Sequence, residues 1–378
     1  MTVAALVTDV HLRSAVATVR GLGAAGIEVL ALAPRRSSAG RWSRHAAVRL
    51  VGPGADSDRE GFAACVVAAA GREPLVVLPG SEAALDALTP MLGAAPAGVL
   101  LPFGDASALA AVRDKRSLAR LARDAGLSVP RVVAEVVAGG PVADVAMPCV
   151  AKPPVPGAPP GQAVVVRSAA QLAALLSVLP AGSPLLLQER LEGPLLSLQL
   201  VLDTDGRVVE RFQALASRTF PEGAGPSSSA VSVAPDERLI GRVAGMAAGC
   251  GFHGLLQVQL VSSRRGPVMI DANPRCFGSL PLALACGANL PAAWHGLAVG
   301  ERGGGPSDYR LGVRYRWLEA DIVSALRGHP GHLLERGGGR AAGAMWQRDD
   351  PLASLILATS AAGGYVARGA RRTLARAR

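Results

Sequence analysis

Ile270-Asp271-Ala272-Asn273-Pro274-Arg275 is the stretch on which the reading of this 378-residue chain turns. Side chains two apart on a strand share a face, so Asp271 and Asn273 point to the same side of whatever strand carries them. Two readings stay open on these residues alone: a pair of oxygen ligands facing one cation, or a turn at a strand end, which Asn-Pro often marks. An earlier apolar strand, Leu255 to Val261, brings Gln259 into the same neighbourhood.

Working outward, lysine is used only at Lys115 and Lys152, against thirty-seven arginines. Lysine is a compact point charge on a flexible stem and arginine a planar fork, so an arginine-rich chain can keep lysine where the fork does not fit. Asp105 to Ala125 reads as one helical stretch containing Arg113-Asp114-Lys115-Arg116, and Arg131 to Val137 as a strand. Met147 to Lys152 closes a second strand before a loop rich in Pro and Gly. Gln162 to Val166, a helix from Ser168 to Leu179 capped by Ser168, and the apolar strand Leu185 to Leu191 follow.

The first hundred residues alternate strand and helix: Val3 to Val7, His11 to Ala25, Ile27 to Ala33 and Leu75 to Leu78 predict a buried parallel sheet. Gly21-Leu22-Gly23-Ala24-Ala25-Gly26 fits the dinucleotide fingerprint in spelling only. It follows a helix and precedes a strand, the reverse of the context that aims a helix N-terminus at pyrophosphate, so the glycines are expected to end the helix.

Composition bounds the rest. Half the residues are hydrophobic and 3% aromatic, so the cores are expected to be built from Leu, Val and Ala, in two or three domains. The formal charge of +10 suits acidic small molecules, anionic lipid or nucleic acid, and part of it lies in the tail with Arg368, Arg371, Arg372, Arg376 and Arg378. The five cysteines are scattered without a C-x-x-C pair, which argues against zinc and a disulfide framework. The N-terminus reads as a first strand, and Leu352 to Ala367 falls short of a membrane span, so a cytoplasmic protein is expected. That last stretch is expected to pack as a terminal helix, with peripheral membrane contact through the basic tail as the lesser reading.

Asp-Lys on a helix, Val-Ala-Lys-Pro on a strand, Leu-Leu-Leu-Gln-Glu-Arg-Leu-Glu-Gly and Ile-Asp-Ala-Asn-Pro-Arg occur in that order. Together they resemble the ATP-grasp superfamily of carboxylate-amine ligases, over about residues 1–300, and are most similar to stand-alone bacterial members of the carbamoyl-phosphate-synthetase-like type. The resemblance implies an α/β and α+β architecture: a Rossmann-like pre-ATP-grasp domain at 1–112, a small lid subdomain at 113–190, a large subdomain with the metal site at 191–300, and a C-terminal extension at 301–378. It implies ATP and Mg2+ as cofactors, small-molecule carboxylate and amine substrates, and no specific nucleic-acid partner; a homodimer stays open.

Carried over by position, Lys115 and Lys152 would contact ATP phosphates. Gln188, Glu189 and Leu191 would form the adenine hinge, and Gln259, Asp271 and Asn273 would hold magnesium, which prefers oxygen ligands. Arg275 would grip the transferred phosphoryl group. The loop from Arg218 to Ser229 resembles the substrate-facing loop, with Arg218 a candidate for the acceptor carboxylate, and Gly278 and Ser279 either bind an anion or cap a helix. Two departures weaken the pattern: neutral Gln259 and the shorter Asp271 stand where the family often has two Glu or Asp and Glu, although glutamine occurs at the first position in carbamoyl-phosphate-synthetase-like members, and Pro153, Pro154, Pro156, Pro159 and Pro160 remove N–H donors from the phosphate-covering loop. They keep open a nucleotide-binding or scaffolding module without turnover. The positive charge keeps open a surface- or nucleic-acid-binding protein.

Overall fold

The computed structural model describes residues 3–360 apart from 72, 142–143, 224, 302–303 and 335–340. The chain begins with a parallel sheet: β1 (Ala4–Val7), α1 (Arg13–Ala24), β2 (Val29–Ala33), β3 (Val48–Val51), α2 (Arg59–Ala70), β4 (Leu75–Leu78), α3 (Glu82–Leu88) and β5 (Val99–Leu100), in strand order β3-β2-β1-β4-β5. Both faces of β1 are covered. Ala5 and Val7 enter the main core, while Leu6 joins Leu32, Phe62 and Val77 on the opposite side, which is why these strands read as continuous apolar runs. Of the three glycines expected to end α1, Gly21 and Gly23 lie within it and only Gly26 ends it, taking φ 76° while the Ile27 N–H returns to the Leu22 carbonyl.

The stretch from 105 to 125 is two helices, α4 (Ala106–Arg113) and α5 (Lys115–Asp124), where the sequence suggested one. Asp114 breaks it. Its backbone is extended at ψ 121°, and its carboxylate accepts from the N–H groups of Arg116 and Ser117. An aspartate that caps this way competes with helix continuation, and the break makes Lys115 the first residue of α5.

A small antiparallel sheet follows: β6 (Val132–Val137), β7 (Cys149–Lys152), β8 (Val164–Val166), α6 (Ala169–Val178) and β9 (Pro184–Glu189), in order β6-β9-β7-β8. Ser168 caps α6 as the sequence indicated. Cys149, Ala151, Leu185 and Leu187 pack with Leu172 and Leu176 of α6 in one cluster. Strand alternation therefore turns Lys152 and Gln188 to the opposite face.

The largest sheet has seven strands, β10 (Leu195–Leu202), β11 (Val208–Thr219), β12 (Ser227–Ser232), β13 (Gly254–Ser263), β14 (Gly266–Asn273), β15 (Arg314–Arg316) and β16 (Ala341–Gly343), in order β14-β13-β10-β11-β12-β15-β16. The helices α7 (Glu237–Gly249), α8 (Leu280–Cys286), α9 (Leu290–Ala298) and α10 (Leu318–Leu326) complete the described elements used below. One continuous core joins β1 and α1 of the first sheet to β10, β13, α8 and α9.

Residues 351–360 are helical, with Ala353 and Leu357 in the main core. Buried Arg20 of α1 ties this end down through Asp350 at 2.8 Å, the Met345 carbonyl and Ser354. The arginine tail lies outside the described residues. Among those described, no helix is long and apolar enough to cross a membrane. Asp114→Ala should destabilise the fold by about 1 kcal/mol in a urea titration while Asp114→Asn stays near the parent, since the cap needs only a side-chain oxygen; an unchanged alanine variant would contradict the capping role.

Candidate functional site

A bulge sets the geometry around Asp271. Gln257 pairs with Asn273 and Gln259 with Asp271, but Leu260 pairs with Met269, so Ile270 is left without an opposite residue. The Ile270 carbonyl accepts a hydrogen bond from Lys152 Nζ at 3.1 Å. Lys115 Nζ lies 2.8 Å from Asp271 Oδ1. A lysine in the first turn of a helix is opposed by the macrodipole, so the position of Lys115 serves this contact rather than α5. The Lys115 N–H also donates to the Pro154 carbonyl at 2.8 Å, holding the start of the proline-rich loop over the same place.

The electrostatics follow from crowding. Lys152 is 7% exposed, and burial, reinforced by Lys115, lowers its pKa to about 8 against the pull of Asp271. Burial alone would raise the Asp271 carboxyl, but Lys115 and Lys152 outweigh it and hold it below the usual aspartate value.

Beside this cluster, Lys115, Leu118, Val129, Pro130, Gln188, Met269 and Ile270 line a narrow cleft between α5, the small sheet and β14. Of the expected hinge residues, Gln188 is buried at the cleft wall. The Glu189 carboxylate turns away, accepting from the Arg131 N–H at 3.0 Å and from Arg265 at 2.7 Å. Its own N–H is bound to the Arg131 carbonyl. Leu191 lies just beyond the end of β9.

Gln259 sits directly across from Asp271, and Asn273 is two residues on. Asn273 is oriented by a residue the sequence reading passed over. Its Nδ2 lies 3.4 Å from Gln257 Oε1, and the Gln257 amide is fixed by Ser197 at 3.1 Å. Among the described residues no group of three His, Cys, Asp or Glu is gathered that could hold a metal. The oxygens of Gln259, Asp271 and Asn273 nonetheless form a set of hard donors, two of them neutral amides, which fits a hard divalent cation that also takes phosphate oxygens.

Arg275 Nε contacts Glu82 Oε1 at 2.5 Å, and its Nη2 lies 3.4 Å from Asn273 Oδ1. Glu82, the first residue of α3, also pairs with Arg113 at 2.8 Å, so the parallel sheet supplies the carboxylate that orients Arg275. Nothing in the sequence around Ser81-Glu82 beyond a helix cap signalled this. Arg218 is placed apart from this group, paired at 2.7 Å with Asp321, which also binds Arg316 at 2.6 Å. Ser279 makes no side-chain cap to α8, and the Gly278 carbonyl accepts from the Tyr315 hydroxyl at 3.0 Å.

Residues 182–320 match the family described as ATP-grasp in the biosynthetic pathway with Ter operon. No curated relative matches the chain. Among solved structures, the biotin carboxylase domain of 2-oxoglutarate carboxylase from Hydrogenobacter thermophilus, crystallised as a dimer with MgADP, ADP and bicarbonate, superposes with a TM-score of 0.60 at 16% identity, over 83% of this chain and 74% of that one. N5-carboxyaminoimidazole synthetase from Staphylococcus aureus gives 0.59 at 10% identity, over 82% and 81%. L-amino acid ligase from Bacillus licheniformis gives 0.55 at 16%, over 79% and 74%.

Lys152→Met is expected to raise the melting temperature of the ligand-free protein at pH 7. Below about 8 both folded and unfolded lysine are charged and the burial cost is present in full; between about 8 and 10.5 the folded protein sheds the proton first and the cost is relieved. The gain should therefore shrink as pH rises through that window. Calorimetry across pH checks this, and a variant less stable than the parent at pH 7 would refute it.

Proposed function

From the premise that this chain has the ATP-grasp fold, we propose that it is an ATP-dependent ligase that activates a carboxylate as its acyl phosphate and passes the acyl group to an amine, releasing ADP and phosphate. The observation that carries this reading is the meeting of Lys115, Lys152 and Asp271, from α5, β7 and β14, beside the cleft walled by Gln188. Residues 1–112 act as the pre-ATP-grasp domain, 113–190 as the lid and 191–300 as the large subdomain. The described part of 301–378 adds β15 and β16 to the large sheet.

In this mechanism the adenine ring enters the cleft at Gln188, Glu189 and Leu191, bound mainly through backbone groups past the end of β9. The ammonium groups of Lys115 and Lys152 turn to the triphosphate, and Lys152, costly to bury as a cation, gains there an anion that it need not share with Lys115 as it does Asp271. Gln259, Asp271 and Asn273 would hold magnesium, which supplies charge neutralisation at phosphate oxygens when bound. A carboxylate oxygen of the substrate attacks the γ-phosphorus and ADP leaves with the bridging electron pair. Arg275, aimed by Glu82, steadies the acyl phosphate. The amine nitrogen then attacks the acyl carbon, phosphate departs and the amine gives up a proton. Arg218, held by Asp321 at 2.7 Å, is the candidate to meet the carboxylate to be activated. Catalysis of this kind is positioning and electrostatics.

Purified protein supplied with ATP, magnesium and a pool of amino acids should release ADP only when a carboxylate and an amine are both present. Lys115→Ala should lower kcat/KM by a factor on the order of 10² to 10³, as removal of one electrostatic stabiliser does elsewhere. Gln259→Glu restores a negative charge to the metal site and should lower the magnesium concentration for half-maximal rate. Tight ATP binding with no ADP release under any pool would replace the ligase by a nucleotide-binding module.

A further inference from the structure

The first sheet reverses its strand order between β1 and β4, and open α/β sheets receive ligands in the crevice outside such a point. Asp9, just past β1, is the non-glycine residue with positive φ among those described, at 55°. It accepts from the Thr8 hydroxyl at 2.7 Å. Gly80, past β4, donates its N–H to Thr8 Oγ1 at 3.1 Å. A Cβ there would meet the Thr8 carbonyl at 2.4 Å, so the close approach of the two loops requires glycine.

Arg13 opens α1 above this crevice. Its guanidinium carbon lies 3.4 Å from the ring centroid of Trp317, at the start of α10. Its Nε and Nη2 edge fits against Gly278, where an added Cβ would come within 2.9 and 2.5 Å of those atoms. The third nitrogen, Nη1, is buried and has no hydrogen-bond partner, and neither does the buried Nε1 of Trp317. Two buried donors without an acceptor, one of them cationic, are costly unless a ligand oxygen meets them. Gly278, against which Arg13 packs, stands three residues beyond Arg275, so the two Cα atoms lie within about 11 Å of each other.

We propose that Arg13 and Trp317 bind the unreacting carboxylate of the amine substrate, which makes that substrate an amino acid whose own carboxylate stays free. The assignment rests on the ligase reading for the word amine, and it names the substrate class that reading leaves open. One unpartnered guanidinium nitrogen and one unpartnered indole N–H match in number the two oxygens of a single carboxylate. A phosphate dianion would call for further cations, and the neighbouring Arg218 and Arg316 already share Asp321, which is 1% exposed. Stacking on Trp317 holds the fork in place before the ligand arrives, a task lysine cannot perform.

The test is binding, independent of turnover. Calorimetric titration of the full chain, with a non-hydrolysable ATP analogue present, uses L-amino acids, the amines left by their decarboxylation, and inorganic phosphate as probes. At least one amino acid should bind, and its affinity should fall about tenfold or more on decarboxylation or in Arg13→Ala, the scale of one charge-assisted hydrogen bond. The affinity for the ATP analogue should not change. Arg13→Lys, which keeps the charge without the planar stack, should lose affinity in the same direction, and Trp317→Phe, which keeps a platform without the N–H, should lose a smaller factor. Equal affinity in parent and Arg13 variants, decarboxylated amines that bind as well, phosphate that competes as tightly, or no amino acid binding beside intact nucleotide binding would each overturn the proposal. A protein that binds an amino acid through Arg13 yet never forms ADP would instead remove the ligase reading and leave the carboxylate site.

Discussion

The charge on Asp271 is the constraint around which the site is built. A carboxylate crowded at this point would lose its proton reluctantly in isolation, and two ammonium groups from separate elements hold its pKa below the ordinary aspartate value. The same pairing gives Lys115 a reason to occupy the first turn of α5, and it leaves Lys152 short of compensation, with a backbone carbonyl as its hydrogen-bond acceptor. Removing the carboxylate from such a cluster would leave two crowded ammonium groups without their anion, so the arrangement adds little to stability and is good preparation for an incoming anion.

Local devices carry this constraint. Asp114 ends α4 and restarts the helix one residue before Lys115, the bulge at Ile270 frees a carbonyl for Lys152, and strand alternation puts Lys152 and Gln188 on the face away from α6. The parallel sheet contributes as more than a neighbour. Glu82 reaches from α3 to orient Arg275, Arg13 reaches from α1 to Trp317, and Arg20 clamps the far end of the described chain through Asp350. The two sheets share one apolar core, so these polar contacts are held in register by packing rather than by their own strength.

Much of this was legible before the fold was known, and unevenly. The apolar runs of β1, β2, β4 and β9, the Ser168 cap and the helix end at Gly26 were readable because each depends on periodicity or on the chemistry of one turn. The interruption at Asp114 was missed because its neighbours all favour helix and only the capping geometry reveals the break. β3 escaped notice since Arg49 interrupts its short run and much of it is exposed, and β5 because two residues show no period.

Residue types and local spacing by themselves showed which positions carry compact cations and which strand ends in an oxygen pair, and four motifs in order carried a resemblance to the ATP-grasp superfamily over about residues 1–300. Only the tertiary structure decided which groups meet. Glu82 with Arg275, Gln257 with Asn273 and Arg13 with Trp317 are contacts between elements far apart in the chain, fixed by sheet register and by a shared core. No local propensity encodes the partner of a side chain whose neighbour arrives from another sheet.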